Sequence, residues 1–285
     1  MNVKKLKTMI LLPAFILVLT ASCGKAESVP EPAGSEPVHS EEIPDTIKED
    51  EDMSTPDMAA SDISIDETKE PDVPENETPD RDAAVLLYQG HASVRISTPE
   101  GKIIYVDPFM GTGYDAPADL ILITHGHYDH TQTNLIETRN AGCEEITWEE
   151  ALRDGKHQTF DLGYVMVEAV EAGYNKNHDV SECVGYILTF SNGSTLYLSG
   201  DTSTTPQMSE LADRKLDYAF FCCDGVYNMD VPEAMECALA VGAKHSIPYH
   251  MIPANNSEGF DRDVAESFDV PGRIVLKPGE ELVLE

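Results

Sequence analysis

The sequence has few basic residues: 19 Lys and Arg stand against 52 Asp and Glu, which gives a formal net charge of -33. Surfaces that bind nucleic acid neutralise phosphates with clustered Lys and Arg. This chain has little positive charge for such a surface, which disfavours nucleic acid as a substrate, and we expect no nucleic-acid partner.

The sequence also lacks the short motifs of several enzyme classes. It contains neither a GxSxG elbow for a serine nucleophile nor a Walker-type glycine loop for phosphates. Its six cysteines include no CxxC pair, and the five after Cys23 are an odd number. Neither a complete disulfide framework nor a cysteine zinc site is therefore indicated. Cys222 and Cys223 adjoin in an apolar run, which favours a buried structural role.

A membrane-spanning run is missing as well. The apolar run at 9–21 follows three lysines and is shorter than the roughly 20 residues that a spanning helix requires. This pattern predicts a signal peptide. Small residues lead into Cys23 in the segment LTASCG, which resembles a bacterial lipoprotein lipobox with Thr in place of the usual Leu. We predict a lipoprotein signal peptide over 1–23 and an extracytoplasmic protein whose lipid on Cys23 anchors it to the membrane. A non-lipidated export signal and an uncleaved helical anchor are the alternatives.

The next segment is rich in Glu, Asp, Pro, Ser and Thr, with 20 acidic residues against 3 basic ones over 26–82. Such a segment buries too little apolar surface to offset the entropy of ordering it, and its charges repel one another. The composition predicts a disordered acidic linker over 24–82 and a folded domain over 83–285.

Within the predicted domain, short β-branched and apolar runs separated by turn signals predict strands. They lie at 85–88, 93–97, 102–106, 120–124, 165–170, 184–190 and 195–199, with the turn residues SNG at 191–193. Helix-compatible composition predicts helices at 131–140, 205–214, 231–241 and 261–267, with Pro232 near a helix start. This pattern alone indicates one mixed α and β domain.

A dense cluster of metal-ligand side chains follows the strand predicted at 120–124. His125, His127, Asp129 and His130 fall within six residues. A loop that leaves a strand can point alternate residues to one side. His125 and His127 can then meet one metal, while Asp129 and His130 meet a second. The spacing therefore predicts a site for two metals.

An HxHxDH motif after a strand is the signature of the metallo-β-lactamase fold superfamily, and the sequence resembles that family over nearly the whole predicted domain. LSGDT at 198–202 resembles the segment whose aspartate bridges both metals, and IPYH at 247–250 resembles the strand that carries the last histidine ligand. GHAS at 90–93, VDPF at 106–109, GYN at 173–175 and YNMD at 227–230 are similar to a branch that includes ascorbate-6-phosphate lactonase-like proteins. The resemblance implies an α/β fold, a four-layer αββα sandwich.

The resemblance also implies a set of metal ligands. They are His125, His127 and His178 for one metal, Asp129, His130 and His250 for the other, and Asp201 between them. His178 is assigned because proteins of the resembling branch have a histidine in the corresponding loop. His157 and His245 stay open as alternatives for this third histidine of the first metal.

Two further residues have both a functional and a plain interpretation. Asp107 either supports a ligand histidine or only forms a turn before Pro108. His91 either approaches the metals from the first hairpin or is satisfied by backbone near a glycine, and we favour the second interpretation. For Trp148, the only tryptophan, we favour packing over substrate binding.

A site with these ligands implies a metal-dependent hydrolase of small molecules. Zinc is the expected metal, with manganese and iron as alternatives, and two cations lower the pKa of a bridging water to about 7. The metal-bridging hydroxide is expected to attack a small ester, lactone or phosphoester, while Asp129 orients it and passes a proton to the leaving group. The alternative is a non-catalytic extracellular lipoprotein that binds metal or ligand, for which an incomplete ligand set is expected.

Overall fold

The computed structural model describes residues 82–256 and 258–285. The signal peptide predicted at 1–23, and all of the linker predicted at 24–82 except its last residue, lie outside the described residues. None of the helices described is both long and apolar enough to span a membrane.

The described chain is built mainly from strands. These are β1 (Ala84–Gly90), β2 (Ser93–Ser97), β3 (Ile103–Val106), β4 (Ala118–Leu122), β5 (Arg139–Ile146), β6 (Leu152–Arg153), β7 (Lys156–His157), β8 (Thr159–Asp161), β9 (Val165–Glu171), β10 (Val184–Phe190), β11 (Thr195–Leu198), β12 (Tyr218–Cys222), β13 (His245–Tyr249) and β14 (Glu281–Leu284). The helices are α1 (Trp148–Ala151), α2 (Val231–Val241) and α3 (Arg262–Ser267), with short 3-10 helices at Thr133–Leu135, Pro206–Ser209 and Leu211–Arg214.

The strands form two six-stranded sheets and a small hairpin. The first sheet has the order β14-β1-β2-β3-β4-β5, the second has the order β13-β12-β11-β10-β9-β8, and β6 pairs with β7. Strands β3, β4 and β5 run parallel in the first sheet, as do β11, β12 and β13 in the second. Ligand sites of open α/β sheets lie beyond the carboxyl ends of such strands. The topology therefore indicates where to look for the site.

The main hydrophobic core contains residues from both sheets. Leu86 and Leu120 of the first sheet belong to the same buried cluster as Tyr186 and Phe220 of the second. Successive side chains of a strand point to opposite faces, so Tyr105 of β3 lies in a second, smaller cluster. The predicted mixed α/β sandwich is confirmed, with few and short helices outside the sheets.

Helix α2 has the bounds that the sequence predicts. Asp230 caps its start by accepting a hydrogen bond from the backbone N–H of Glu233, Pro232 occupies the first turn, and Gly242 ends it in a left-handed conformation. Its buried face consists of Ala234, Cys237, Ala238 and Val241. Helix α3 nearly matches its prediction too, since it begins at Arg262 and ends at Ser267.

The other two predicted helices are wrong. The segment 131–140 holds one 3-10 turn, and its end enters β5, which pairs in parallel with β4. Most side chains of β5 are exposed, and the segment is polar, with few β-branched residues. Its composition therefore does not predict a strand, and the strand forms through backbone pairing with β4. The segment 205–214 forms two 3-10 helices instead of one α-helix.

The predicted strands are confirmed, and β2 and β10 have identical bounds to the prediction. The antiparallel pairing of β10 with β11 also confirms the hairpin turn at 191–193. Within the described chain the five cysteines are unpaired, and Cys222 and Cys223 are buried, in agreement with a structural role.

Candidate metal centre

All seven predicted ligands converge beyond the ends of the parallel strands. The loop after β4 carries four of them, Asp201 follows β11, and His250 follows β13. His178 comes from the loop between β9 and β10. Residues from both sheets thus meet at one edge of the sandwich.

The first group is a histidine trio, formed by His125, His127 and His178. One ring nitrogen from each lies within 4.8 Å of the others, and His125 Nε2 is 3.0 Å from His127 Nδ1. His125 and His178 are buried, while His127 is exposed. Three imidazole nitrogens around one point are a common donor set for a divalent metal.

The second group contains Asp129, His130 and His250, together with His91. Their ligand atoms also lie within 4.8 Å of one another. His91 is fully buried, and its Nε2 is 3.1 Å from Asp129 Oδ2. From the sequence we favour a histidine satisfied by backbone, whereas in the structure the ring of His91 faces this group. In the sequence, only the resemblance of the GHAS segment at 90–93 pointed to a place for His91 near the metals.

Asp201 lies between the two groups and is buried. Its Oδ2 is 3.3 Å from His178 Nε2 and 3.2 Å from His250 Nε2, and its Oδ1 is 3.4 Å from His130 Nε2. One carboxylate is therefore close to donors of both groups.

The two alternatives for the third histidine lie elsewhere. His157 is in β7 and borders a separate cavity with Glu171 and Tyr174. His245 begins β13 and stacks on Tyr218, with ring centroids 5.2 Å apart. His245 and His250 are therefore separated by the length of β13. Among the described histidines, His178 alone completes the trio.

Polar side chains lie against the outer ring nitrogens of three histidines. Asp107 Oδ2 lies 2.9 Å from His130 Nδ1, and Asn175 Oδ1 lies 3.1 Å from His178 Nδ1. Asp224 Oδ2 lies 3.2 Å from His250 Nδ1. Since these oxygens are acceptors, they favour a proton on Nδ1 and leave each Nε2 directed at the centre.

The structure places Asp107 as a support for His130, in line with the functional interpretation of that residue. Asn228 adds a second support, because its Nδ2 donates to Asp201 Oδ2 and to Asp224 Oδ2, both at 2.8 Å. The YNMD segment pointed to Asn228. The sequence did not indicate Asp224, because it comes near His250 only through the pairing of β12 with β13.

Three of the polar residues follow a strand directly and have a left-handed backbone. The φ angles are 54° at His91 after β1, 46° at Asp107 after β3, and 44° at His250 after β13. Non-glycine residues rarely adopt this region, and such strain is concentrated at functional sites. Gly200 has a φ of 61°, and a Cβ there would lie 2.7 Å from the carbonyl oxygen of Val184. The turn that presents Asp201 therefore requires glycine.

Charge and burial set the protonation states of the cluster. Burial opposes ionisation of Asp201, but His250 and His130 outweigh it and hold the pKa of Asp201 well below its usual range. Burial lowers the pKa of His125 well below its ordinary value. Burial would lower the pKa values of His130 and His250, but Asp201 outweighs it and raises both. Because metals bind an ionised carboxylate and a neutral imidazole, a cation bound here would displace the protons of these two histidines.

The cluster also contains buried polar atoms without hydrogen-bond partners. They include His130 Nε2, His250 Nε2 and Asp201 Oδ1. An unsatisfied buried group costs about 1–3 kcal/mol, and these atoms are of the types that divalent cations bind. The residues therefore fit a metal site. A cavity of about 320 Å³ opens directly over them, which is large enough for a small molecule.

Comparisons with known proteins agree with this geometry. A sequence model of the β-lactamase superfamily domain matches residues 85–250. A UPF0173 metal-dependent hydrolase from Rubrobacter xylanophilus is 28% identical and aligns over 69% of this chain and 95% of that protein. Another from Geobacillus sp. strain WCH70 is 32% identical over 69% of this chain and 98% of its own length.

A solved structure gives the same result. A candidate metal-dependent hydrolase from Parabacteroides distasonis superposes with a TM-score of 0.55 at 28% identity, over 67% of this chain and 91% of that one. With a histidine and aspartate cluster able to bind metal, this chain belongs to the β-lactamase superfamily and, within it, to the UPF0173 family of metal-dependent hydrolases.

Proposed function

We propose that this hydrolase uses two divalent cations, zinc in the first place and otherwise manganese or iron, to cleave a small ester, lactone or phosphoester. The observation that carries the proposal is the position of Asp201. Its carboxylate lies within 3.2–3.4 Å of ring nitrogens from His130, His178 and His250. A shared carboxylate of this kind suits a pair of cations.

In this proposal the first cation is held by the histidine trio of His125, His127 and His178. The second is held by Asp129, His130 and His250, and Asp201 contacts both. Cations in such a site supply a hydroxide nucleophile at neutral pH and polarise the bond to be cleaved.

Asp129 is assigned the proton transfers. Burial raises the pKa of Asp129, but the hydrogen bond with His91 and the nearby histidines outweigh it, so the net direction is downward. The carboxylate lines the cavity over the centre. There it can orient the attacking water and pass the proton to the leaving oxygen. His91 keeps Asp129 in place for both roles.

The substrate type follows from the branch that the sequence resembles. GHAS at 90–93 and YNMD at 227–230 contribute His91 and Asn228 to the surroundings of the centre. Their similarity to ascorbate-6-phosphate lactonase-like proteins makes a lactone the first substrate to test. The rival proposal, a non-catalytic binding lipoprotein, expects an incomplete ligand set and is not favoured.

The experiment measures metal content and hydrolysis in parallel. Purified protein is analysed for metals before and after chelation and assayed on lactones, carboxylic esters and phosphodiesters. We expect two metal equivalents, and activity that chelation removes and metal restores. Metal-loaded protein that cleaves no member of the panel would favour the binding lipoprotein.

We also propose that the enzyme acts outside the cytoplasm, anchored through lipid on Cys23. The basic start, the short apolar run and the small residues before Cys23 support this. Cells grown with a labelled lipid precursor should label the natural protein but not the Cys23→Ala variant. Equal membrane attachment and an unprocessed N-terminus in both would contradict the lipobox.

A further inference from the structure

The wall of the cavity over the metal centre carries no positive charge among the residues that the structure describes. Apart from the proposed ligands, its lining consists of Tyr128, Asn177, Tyr227, Pro253, Ala254 and Asn255. Two phenol rings, two small apolar side chains and two amides make up this surface. It offers apolar contact and neutral hydrogen-bonding groups.

A phosphate on the far end of a substrate would find no partner on this wall. Proteins bind phosphate through Arg, Lys or backbone N–H groups at helix starts. Lys176 is exposed and precedes Asn177, but it is not part of the lining. The adjoining groove, which shares His127, Asn177 and His178 with the cavity, is lined by Asp179 and Glu182. The carboxylates of this groove are therefore of the sign that repels anions.

The two tyrosines form an apolar entrance. Tyr128 is 60% exposed and Tyr227 is 50% exposed, which is high for aromatic side chains. Tyr128 meets Phe109 edge to face, with ring centroids 5.6 Å apart. The segment of Tyr227 is tied down, because its carbonyl oxygen accepts a hydrogen bond from Asn177 Nδ2 at 3.0 Å. Held aromatic rings at the mouth of a cavity provide contact area for apolar ligands.

We propose that the substrate is a carboxylic ester or lactone whose non-reacting arm is uncharged, either apolar or bearing hydroxyls, and that the cavity rejects an arm with a phosphate. This inference rests on the proposed function and narrows it. The tyrosines contact the apolar part of the arm, while Asn177 and Asn255 provide amides for neutral hydroxyl or carbonyl groups.

The experiment compares two γ-lactones that differ only in the arm, hydroxymethyl in one and phosphoryloxymethyl in the other. Both are assayed with the metal-loaded full chain. We expect kcat/KM to be at least about tenfold higher for the neutral lactone, because a phosphate without a partner in the site loses its hydration uncompensated. Calorimetry with the matching γ-lactams measures binding without turnover, and the neutral lactam should bind more tightly.

The outcomes separate this inference from the proposed function. Equal or better hydrolysis of the phosphorylated lactone would overturn the neutral-arm inference, while the proposed hydrolase function would stand. A preference for the neutral lactam without hydrolysis of either lactone would overturn the proposed lactone hydrolysis and retain the selectivity of the cavity. If neither lactone reacts and neither lactam binds, both the lactone hydrolysis and the neutral-arm inference fail.

Adding one positive charge to the wall tests its role directly. Asn255→Lys should shift the kcat/KM ratio towards the phosphorylated lactone by about tenfold, because it supplies the missing partner. Leu239→Lys is the matched control, since Leu239 is 61% exposed on α2 and does not line the cavity. It should leave the ratio unchanged. An equal shift in both variants, or none in Asn255→Lys, would remove Asn255 from the site that binds the arm.

The tyrosine entrance has its own test with an aryl ester. Tyr227→Ala should raise KM for that ester with little change in kcat, while Tyr227→Phe keeps the ring and should resemble the natural protein. An unchanged KM in Tyr227→Ala would contradict the apolar entrance.

Discussion

The carboxylate of Asp107 accepts a hydrogen bond from Nδ1 of His130 at 2.9 Å, and both side chains are almost completely buried. The same carboxylate accepts hydrogen bonds from the backbone N–H of Thr124 at 2.8 Å and from its hydroxyl at 2.7 Å. Thr124 opens the loop that carries four proposed ligands. Asp107 therefore connects the end of β3 with that loop and orients its last histidine.

Removal of this support should weaken one metal site. Because His130 belongs to the second group, Asp107→Ala should lower the affinity for the second cation by about 10–100-fold, the usual effect of losing such a partner. Asp107→Asn keeps an acceptor oxygen and should lose less of the affinity for the second cation. Titration against a chromogenic chelator measures both affinities.

The control for this prediction is Asp179→Ala. Asp179 is exposed and directly follows His178, and its carboxylate accepts hydrogen bonds only from Ser181 among the described residues. Its removal should change neither affinity. If a folded Asp107→Ala variant bound both cations with the affinities of the natural protein, Asp107 would only shape the turn.

His178 and Asp201 should differ in the number of metals that they control. His178→Ala should deplete mainly the first metal, since His178 belongs to one group. Asp201→Ala should deplete both metals and abolish nearly all hydrolysis, since its carboxylate contacts both groups. Metal analysis of the purified variants distinguishes the two effects.

His157→Ala is the matched control, because His157 borders a separate cavity. It should keep both metals and full turnover. Two bound metals with undiminished turnover in His178→Ala would remove His178 from the site. The same result in Asp201→Ala would contradict the two-metal mechanism.

His91 should act through Asp129. Its Nε2 is 3.1 Å from Asp129 Oδ2, and its ring centroid is 3.7 Å from that of His250. His91→Ala should reduce kcat by about 10–100-fold, in the range of losses for a partner of a ligand. Turnover and the affinity for the second cation are the measurements.

The backbone at His91 needs its own control, because its φ of 54° is left-handed. Asn tolerates this region better than Ala does. His91→Asn should therefore be the more stable variant in urea unfolding while it shares the catalytic defect. If His91→Asn recovered full turnover, the loss in His91→Ala would come from backbone strain and not from the missing imidazole.

Away from the site, Asp217 should make stability depend on pH. It accepts hydrogen bonds from the backbone N–H and the hydroxyl of Thr195, both at 2.9 Å, and from Lys244 Nζ at 2.6 Å. Burial alone would raise the pKa of Asp217, but these hydrogen bonds outweigh it and lower the pKa. The resulting stabilisation is present above the ordinary carboxyl pKa and is lost as the pH falls through the lowered one.

Asp217→Asn should therefore lower the free energy of unfolding by about 1–2 kcal/mol at pH 7, because Asn keeps one acceptor oxygen but loses the charge that strengthens these hydrogen bonds. The difference from the natural protein should shrink as the pH falls below the ordinary carboxyl pKa. Urea unfolding at several pH values measures it. Asp213→Asn is the control, because Asp213 is exposed and should show neither effect. A difference that stays constant with pH would contradict the assignment.

The ligand loop and much of the sheet could be predicted because their signals are local. Short apolar and β-branched runs set the bounds of β2 and β10, and HxHxDH after β4 indicated the candidate metal centre within six residues. Pro232 similarly marked the start of α2. In each case neighbouring residues in the chain carry the whole signal.

Other features depend on contacts between distant parts of the chain. β5 is a strand because its backbone pairs with that of β4, although its own exposed polar residues do not favour a strand. Asp224 supports His250 only because β12 and β13 are parallel neighbours.

The amino-acid sequence by itself determined the class of chemistry, since the spacing of His and Asp side chains in one loop already specifies metal ligation. Only the tertiary structure decided that His178 and not His157 or His245 completes the trio, that His91 faces Asp129, and that the cavity wall is uncharged. The physical reason is that these relationships join segments far apart in the chain. They arise where the two sheets pack together and bring their strand ends to one edge.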